Sequence, residues 1–332
     1  MIVALDAMGG DYAPTEIVTG ARLAVEEMEG QVALVGAPDR IEAVLGKRGH
    51  HDRLLVRPAS ETVEMEDSPR VALRTKQDSS MAQAVNMVAS GEAAACVSAG
   101  NSGAFMGLCT TRLKCIPGID RPAIASFVPT AAGPRIVLDA GANTDCKPIY
   151  LQQFGIMGSV YAEFALGREK PRVGLLSIGT EAHKGDELTL AAMPLLQQAP
   201  INFIGNVEGD QVFGDEVDVI VCDGFVGNVL LKVAEGVAGM VMAGIKQVAA
   251  QGTRAALGAL LMRPAFTDLR RKFDYRTYGG ALLLGINGIC VVCHGKSDAD
   301  AIKNALLVAE RSVKVGVVQQ VRETCASMAA DS

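Results

Sequence analysis

Tryptophan is missing from the 332 residues, and aromatic residues make up only 4% of them. A chain so poor in rings has no stacking platform for single-stranded nucleic acid, and a net charge of -6 gives no basic footprint for a duplex. Charged residues are few, at 20%, against 49% hydrophobic, which excludes disorder and provides for a large core. Nucleotide signatures are missing too. There is no GxxxxGK followed by Ser or Thr, and GNSGAFMG, from Gly100, has the wrong glycine spacing for a dinucleotide loop, with no acidic residue placed to hold a ribose. The apolar start Ile2 to Leu5 is too short for a signal sequence. Lys232, Glu235 and Lys246 interrupt the 229–250 stretch and Asn287 the next, so no membrane span is expected and the protein reads as cytoplasmic.

Eight cysteines are scattered through apolar patterns, as suits a reducing compartment. Cys290 and Cys293 form a CxxC, but without a second pair or a redox-type helix start they read as small buried hydrophobes. Strand-like and helix-like runs alternate, the pattern of an α/β protein with a mainly parallel sheet. Pro14 opens a helix with Ile17, Ala21, Ala24, Val25 and Met28 at helical spacing, closed by Gly30. Ser297 and Asp300 are spaced as a capping box before Ile302, Ala305, Leu306 and Ala309. No linker or repeat divides the chain, so residues 1–332 are expected to form one domain, with 252–278 as a projecting helical segment.

Five apolar runs end alike. VALDAMGGD stops at Asp6, CVSAGNSGA at Ser98, IVLDAGANTD at Asp139, LLSIGTEAHKGD at Ser177 and VIVCDGFVGN at Asp223, each followed by glycine. One such corner is an ordinary strand-to-helix turn. Five suggest an anion site, because carboxyl ends in a parallel sheet share one edge where glycine corners aim N–H groups at a ligand.

These stretches, with SIGTEAHKG from Ser177, DGFVGN from Asp223 and YGGALLLGING from Tyr278, closely resemble the PlsX-type phosphate acyltransferases of bacterial phospholipid synthesis, in order from Ile2 to about Val315. The resemblance implies a three-layer α/β/α fold similar to phosphotransacetylase and isocitrate dehydrogenase, usually a homodimer. It also implies transfer of a long acyl chain from acyl carrier protein to inorganic phosphate, giving acyl phosphate.

Phosphate is already anionic near neutral pH and a thiolate is a fair leaving group, so the enzyme's work is positioning and charge. Lys184 and Asn228 fall on the family positions expected to be catalytic, with nearby backbone N–H groups donating as well. Substrate contacts are expected from Asp6, Gly9, Gly10, Ser98, Gly100, Asn101, Ser102, Gly103, Asp139, Gly141, Asn143, Gly179, Thr180, His183, Asp223 and Gly224. His183 stands beside the lysine as a tempting base, yet adjacent residues point apart, which favours a supporting role. Cys146 and Cys222 leave an acyl-cysteine route open, and the carboxylates a Mg²⁺ role, but no metal or cofactor is expected.

The segment 252–278 carries Leu257, Leu260 and Leu261 on one helical face, a helix break at Pro264, and the basic residues Arg263, Arg270, Arg271, Lys272 and Arg276. It reads either as a solvated hairpin or dimer contact, or as a membrane-surface helix. The resemblance favours peripheral contact with the inner face of the cell membrane, and the basic cluster is expected to dock acyl carrier protein. Alternative readings are a short-chain phosphate acetyltransferase using coenzyme A and a non-enzymatic lipid-surface binding protein.

Overall fold

A computed structural model describes residues 1–46, 49–272 and 278–330, without the side chains of 253, 256, 268–272 and 327–330. In chain order the strands are β1 (Ile2–Asp6), β2 (Gln31–Gly36), β3 (Leu54–Pro58), β4 (Ala95–Ser98), β5 (Ala123–Val128), β6 (Arg135–Leu138), β7 (Arg172–Leu176), β8 (Asn202–Val207), β9 (Val219–Val221), β10 (Ala281–Leu284) and β11 (Ile289–Val292). They form one sheet in the order β3-β2-β1-β4-β11-β10-β5-β6-β9-β7-β8.

The sheet is mainly parallel, but its centre reverses direction. β10 pairs antiparallel with β11 and with β5, and β5 pairs antiparallel with β6. The wing β3-β2-β1-β4-β11 therefore runs opposite to the wing β6-β9-β7-β8, and their carboxyl ends emerge at opposite edges. This corrects the expectation of one shared edge. Asp6 and Ser98 lie at one edge, and Asp139, Ser177 and Asp223 at the other.

Strand side chains alternate between the faces. Val3 and Leu5 join Ile17, Phe154 and Ile302 in one cluster, while Ala4 joins Met81, Phe105 and Leu108 on the other face. Helices Thr15–Val25, Pro148–Ala165 and Ala299–Lys314 cover the first face, and Ser80–Ala89 and Ser102–Leu113 the second, giving three layers. Truncating buried Phe154 or Phe105 to Ala removes a ring from a closed core and costs about 3–5 kcal/mol. Two helix boundaries differ from expectation. The first helix ends at Val25, short of Gly30. Asp298, and not Ser297, caps the helix Ala299–Lys314, its carboxylate accepting from Ala301 N at 3.0 Å.

The helix Gly224–Ala249 departs from this packing. Its first turn sits on the sheet, but only Gly224 and Gly227 are buried, and Val229, Val233, Val237, Met240, Val241 and Val248 are exposed along it. It is long and apolar enough to cross a membrane by length and composition, contrary to the expectation that Lys232, Glu235 and Lys246 would prevent this. Its flanks, β9 before and β10 after, return to the same sheet, so one crossing would place them on opposite sides. Helices Thr253–Leu261 and Arg263–Lys272 follow it, and Leu257, Leu260, Leu261 and Arg263 are exposed. Pro264 lies in the first turn of the latter, where its missing N–H is harmless. Arg270, Arg271 and Lys272 end that helix with side chains outside the description, and Arg276 lies outside the described residues.

All eight cysteines are free thiols. Cys290 and Cys293 pack on opposite faces of the sheet, so the CxxC is not a pair in space. Cys96, Cys109 and Cys290 meet in the core, a cluster invisible in the sequence. Burial pushes all three thiols well above their usual range, so they stay neutral and pack as small hydrophobes.

Candidate active site

The two edges use similar glycine corners differently. At the first, Asp6 is buried and accepts from Ser98 Oγ at 2.7 Å and Met8 N at 3.3 Å, while Gly100 N donates to Ser98 Oγ at 3.1 Å. Burial raises the Asp6 pKa even against these bonds. Gly9 packs on Gly100, Gly10 turns with positive φ, and Ser102 and Gly103 form the first helical turn, Gly103 against Pro69. Asn101 caps that helix, accepting from Ala104 N at 3.0 Å, and its Nδ2 reaches the carbonyls of Glu64, Met65 and Asp67. Asp6, Ser98 and Asn101 are thus held within the protein.

At the second edge, β6, β9 and β7 are neighbours, so their corners adjoin. Asp139 ties down its own loop. Its Oδ1 accepts from the N–H groups of Ile124, Gly141 and Ala142, and its Oδ2 from the backbone and side-chain nitrogens of Asn143. Burial raises the Asp139 pKa, and these five donors act against that rise. Asn143 O then accepts from Gly224 N at 2.7 Å, joining this loop to the next corner. Glycine is required at 227, because a Cβ there would lie 1.9 Å from Asp139 O. Asp223 caps the long helix, accepting from Phe225 N at 2.9 Å and Val226 N at 3.0 Å.

The first-turn amides beside Asn228 are thus engaged within the protein. Among the described residues, no partner takes the N–H groups of Gly179, Thr180, Ala182 or His183 on the β7 corner, where Ile178 is 80% exposed. Among the described residues, no hydrogen bond or ion pair takes the Lys184 ammonium or the Asn228 amide either. Asn228 is exposed beside Gly141, and Lys184 is half-buried under Gly179. The exposed His183 has no hydrogen bond or ion pair among the described residues either.

Between these corners opens a groove of about 580 Å³, lined by Thr144, Asp145, Cys146, Asp186, Leu188, Asp223, Phe225 and Val226. Sequence reasoning missed its apolar wall, since Leu188 and Phe225 look like ordinary first-turn helix residues. Burial first, then the charges of Asp139 and Asp223, pushes the Cys146 thiol up to about 12, and burial likewise holds the Cys222 thiol well above its ordinary range. Neither is a thiolate near pH 7, which argues against nucleophilic cysteine.

Residues 1–320 match the family described as "Fatty acid synthesis protein". The chain belongs to this family. A "Phosphate acyltransferase" from Pelotomaculum thermopropionicum is 48% identical over 328 residues, covering 99% of this chain and 96% of the relative. Another, from Heliobacterium modesticaldum, is 50% identical over 325 residues, covering 97% of each. This member of the fatty acid synthesis protein family is an acyltransferase. A phosphotransacetylase from Streptococcus pyogenes superposes with a TM-score of 0.65 at 14% identity, covering 95% of this chain and 94% of that one, and shares the fold. A second, the EutD phosphotransacetylase of Staphylococcus aureus, gives 0.63 at 16% identity, covering 94% of each.

Proposed function

We propose that this enzyme transfers a long-chain acyl group from acyl carrier protein to inorganic phosphate, by direct attack on the thioester. The observation that carries this reading is the pair of unengaged donors, Lys184 and Asn228, on adjoining corners whose carboxylates are held internally. Lys184 neutralises phosphate and the oxyanion that develops on the carbonyl, and Asn228 donates a hydrogen bond to the same charge. The free amides of the β7 corner add further donors. A phosphate oxygen forms the new C–O bond as the C–S bond breaks; the electron pair leaves on sulfur, which then takes a proton from water.

The groove beside these donors suits a neutral pantetheine arm, because Asp145, Asp186 and Asp223 disfavour a second anion there. The exposed leucines Leu257, Leu260 and Leu261, flanked by Arg254 and Arg263, rest on an anionic membrane surface. The stripe Val229, Val233, Val237 and Met240 repeats at helical spacing and is covered by a second copy in a homodimer. Arg263, Arg270, Arg271 and Lys272 attract the acidic carrier.

The test is release of free carrier thiol from palmitoyl carrier protein, followed with and without phosphate. Phosphate-dependent release with equimolar acyl phosphate is expected. Release that ignores phosphate, or transfer from acetyl coenzyme A alone, would rule the proposal out.

A further inference from the structure

The loop that carries Lys184 has little to hold it. Residues 178–183 lie over the sheet edge with Ile178, Thr180, Glu181, Ala182 and His183 all exposed, so apolar packing does not fix their path. A turn closes from Lys184 N to Glu181 O at 2.9 Å. Both ends of that turn are gripped by one side chain, since Asn206 Nδ2 donates to Glu181 O at 2.9 Å and to Lys184 O at 3.2 Å. Ser177 Oγ adds a third bond, to Lys184 O at 3.1 Å.

Asn206 is an odd occupant of its position. It stands in β8, the outermost strand of its wing, where asparagine is disfavoured, and it is only 6% exposed. Its Oδ1 is buried with no partner among the described residues. A buried acceptor left unmatched is unfavourable, so the residue's use lies in its two N–H donors. The strand is also distorted in a way that aims it. Val173 pairs with Phe203 but Gly174 with Gly205, so Ile204 is an extra residue, and Gly205 adopts φ +97° with empty space where a Cβ would stand. The bulge advances the pleat by one residue and turns onto the Lys184 side a side chain that regular alternation would send to the other face.

We infer that Asn206, assisted by Ser177, is a positioning residue that fixes the backbone of Lys184 for work on the phosphate. This rests on the proposed role of Lys184. With both donors removed, the turn opens and the ammonium samples positions away from the reacting atoms, which lowers transition-state stabilisation while the core stays packed.

The experiment is a double-mutant cycle on the full-length protein, with kcat and KM for phosphate measured in palmitoyl carrier protein turnover. Asn206→Ala and the isosteric Asn206→Asp, which offers no N–H, are each expected to lower kcat/KM about tenfold. In a Lys184→Ala background the same changes are expected to move it less than about twofold. An equal loss in both backgrounds shows an effect that does not pass through Lys184 and overturns the inference, while leaving Lys184's own role intact. Near-normal turnover of Lys184→Ala alone overturns the underlying reading instead. A third variant, Asn206→Ser, keeps a shorter donor. If it is no better than Asn206→Ala while both melt like the parent, hydrogen bonding is not what the position supplies, and the inference fails.

Discussion

The two edges of the sheet present the same local design, a small polar residue followed by glycines and a helix, with opposite results. At the Asp6 edge the side chains that shape the corners, Asp6, Ser98 and Asn101, are engaged inside the protein. Ser98 takes Asp6, and Asn101 takes three carbonyls and a helix amide. At the Asp139 edge Asp139 and Asp223 are engaged in the same way, yet among the described residues the Lys184 ammonium and the Asn228 carboxamide have no hydrogen bond or ion pair. A glycine corner therefore makes a turn, and unengaged donors make a candidate site.

That contrast can be broken by substitution, beginning where the expected effect is largest. Lys184→Ala is expected to lower turnover on the order of a hundredfold or more with an unchanged melting curve, the loss associated with one charge-stabilising donor. A folded variant with near-parental phosphate kinetics would place the chemistry elsewhere. Asn228→Ala is expected to lose about tenfold in kcat, since a neutral donor contributes less than a charge. Cosedimentation with anionic vesicles is expected to disappear in Leu260→Glu with Leu261→Glu; unchanged sedimentation would move membrane contact to another surface.

A smaller effect is expected from Arg271→Glu with Lys272→Glu, which should raise the KM for the carrier several-fold and flatten its salt dependence, with the phosphate KM steady. Loss of vesicle binding with unaltered carrier kinetics would assign the cluster to lipid. Least affected in rate should be Asn101→Ala at the Asp6 edge. It removes a helix cap and three loop contacts, costing about 2 kcal/mol, so thermal melting should fall out of proportion to turnover. Selective loss of phosphate affinity there would show that both edges bind substrate.

Much of this was legible in the chain. The glycine corners, the layer pattern and the family resemblance all rest on local sequence, and the structure places Lys184 and Asn228 on adjoining corners. The reversal at the sheet's centre was not legible. ALLL and ICVV are short apolar runs, and a four-residue strand carries no sign of whether it runs with or against its neighbour. Asn206 escaped notice for a similar reason. Following Gly205, it reads as part of a turn, and only the extra residue at Ile204, visible in the pairing, shows that the strand continues and which way the amide points. The exposed face of Gly224–Ala249 was masked by three charges spread along 26 residues.

The order in which the ribosome releases the chain meets this topology unevenly. Strands β6 to β9 lie within residues 135–221 and pair with one another, so that wing can assemble as it emerges. The other wing cannot close until β11 has been made. β4 needs β11 as its neighbour, with Cys96 opposite Cys290, 194 residues later, and the helix Thr15–Val25 packs against Ala299–Lys314. Until β11 has emerged, the N-terminal strands must wait with one edge unpaired, open to wrong partners. Hydrogen exchange pulsed during refolding of the whole chain should find amides of β6, β7 and β9 protected before those of β4.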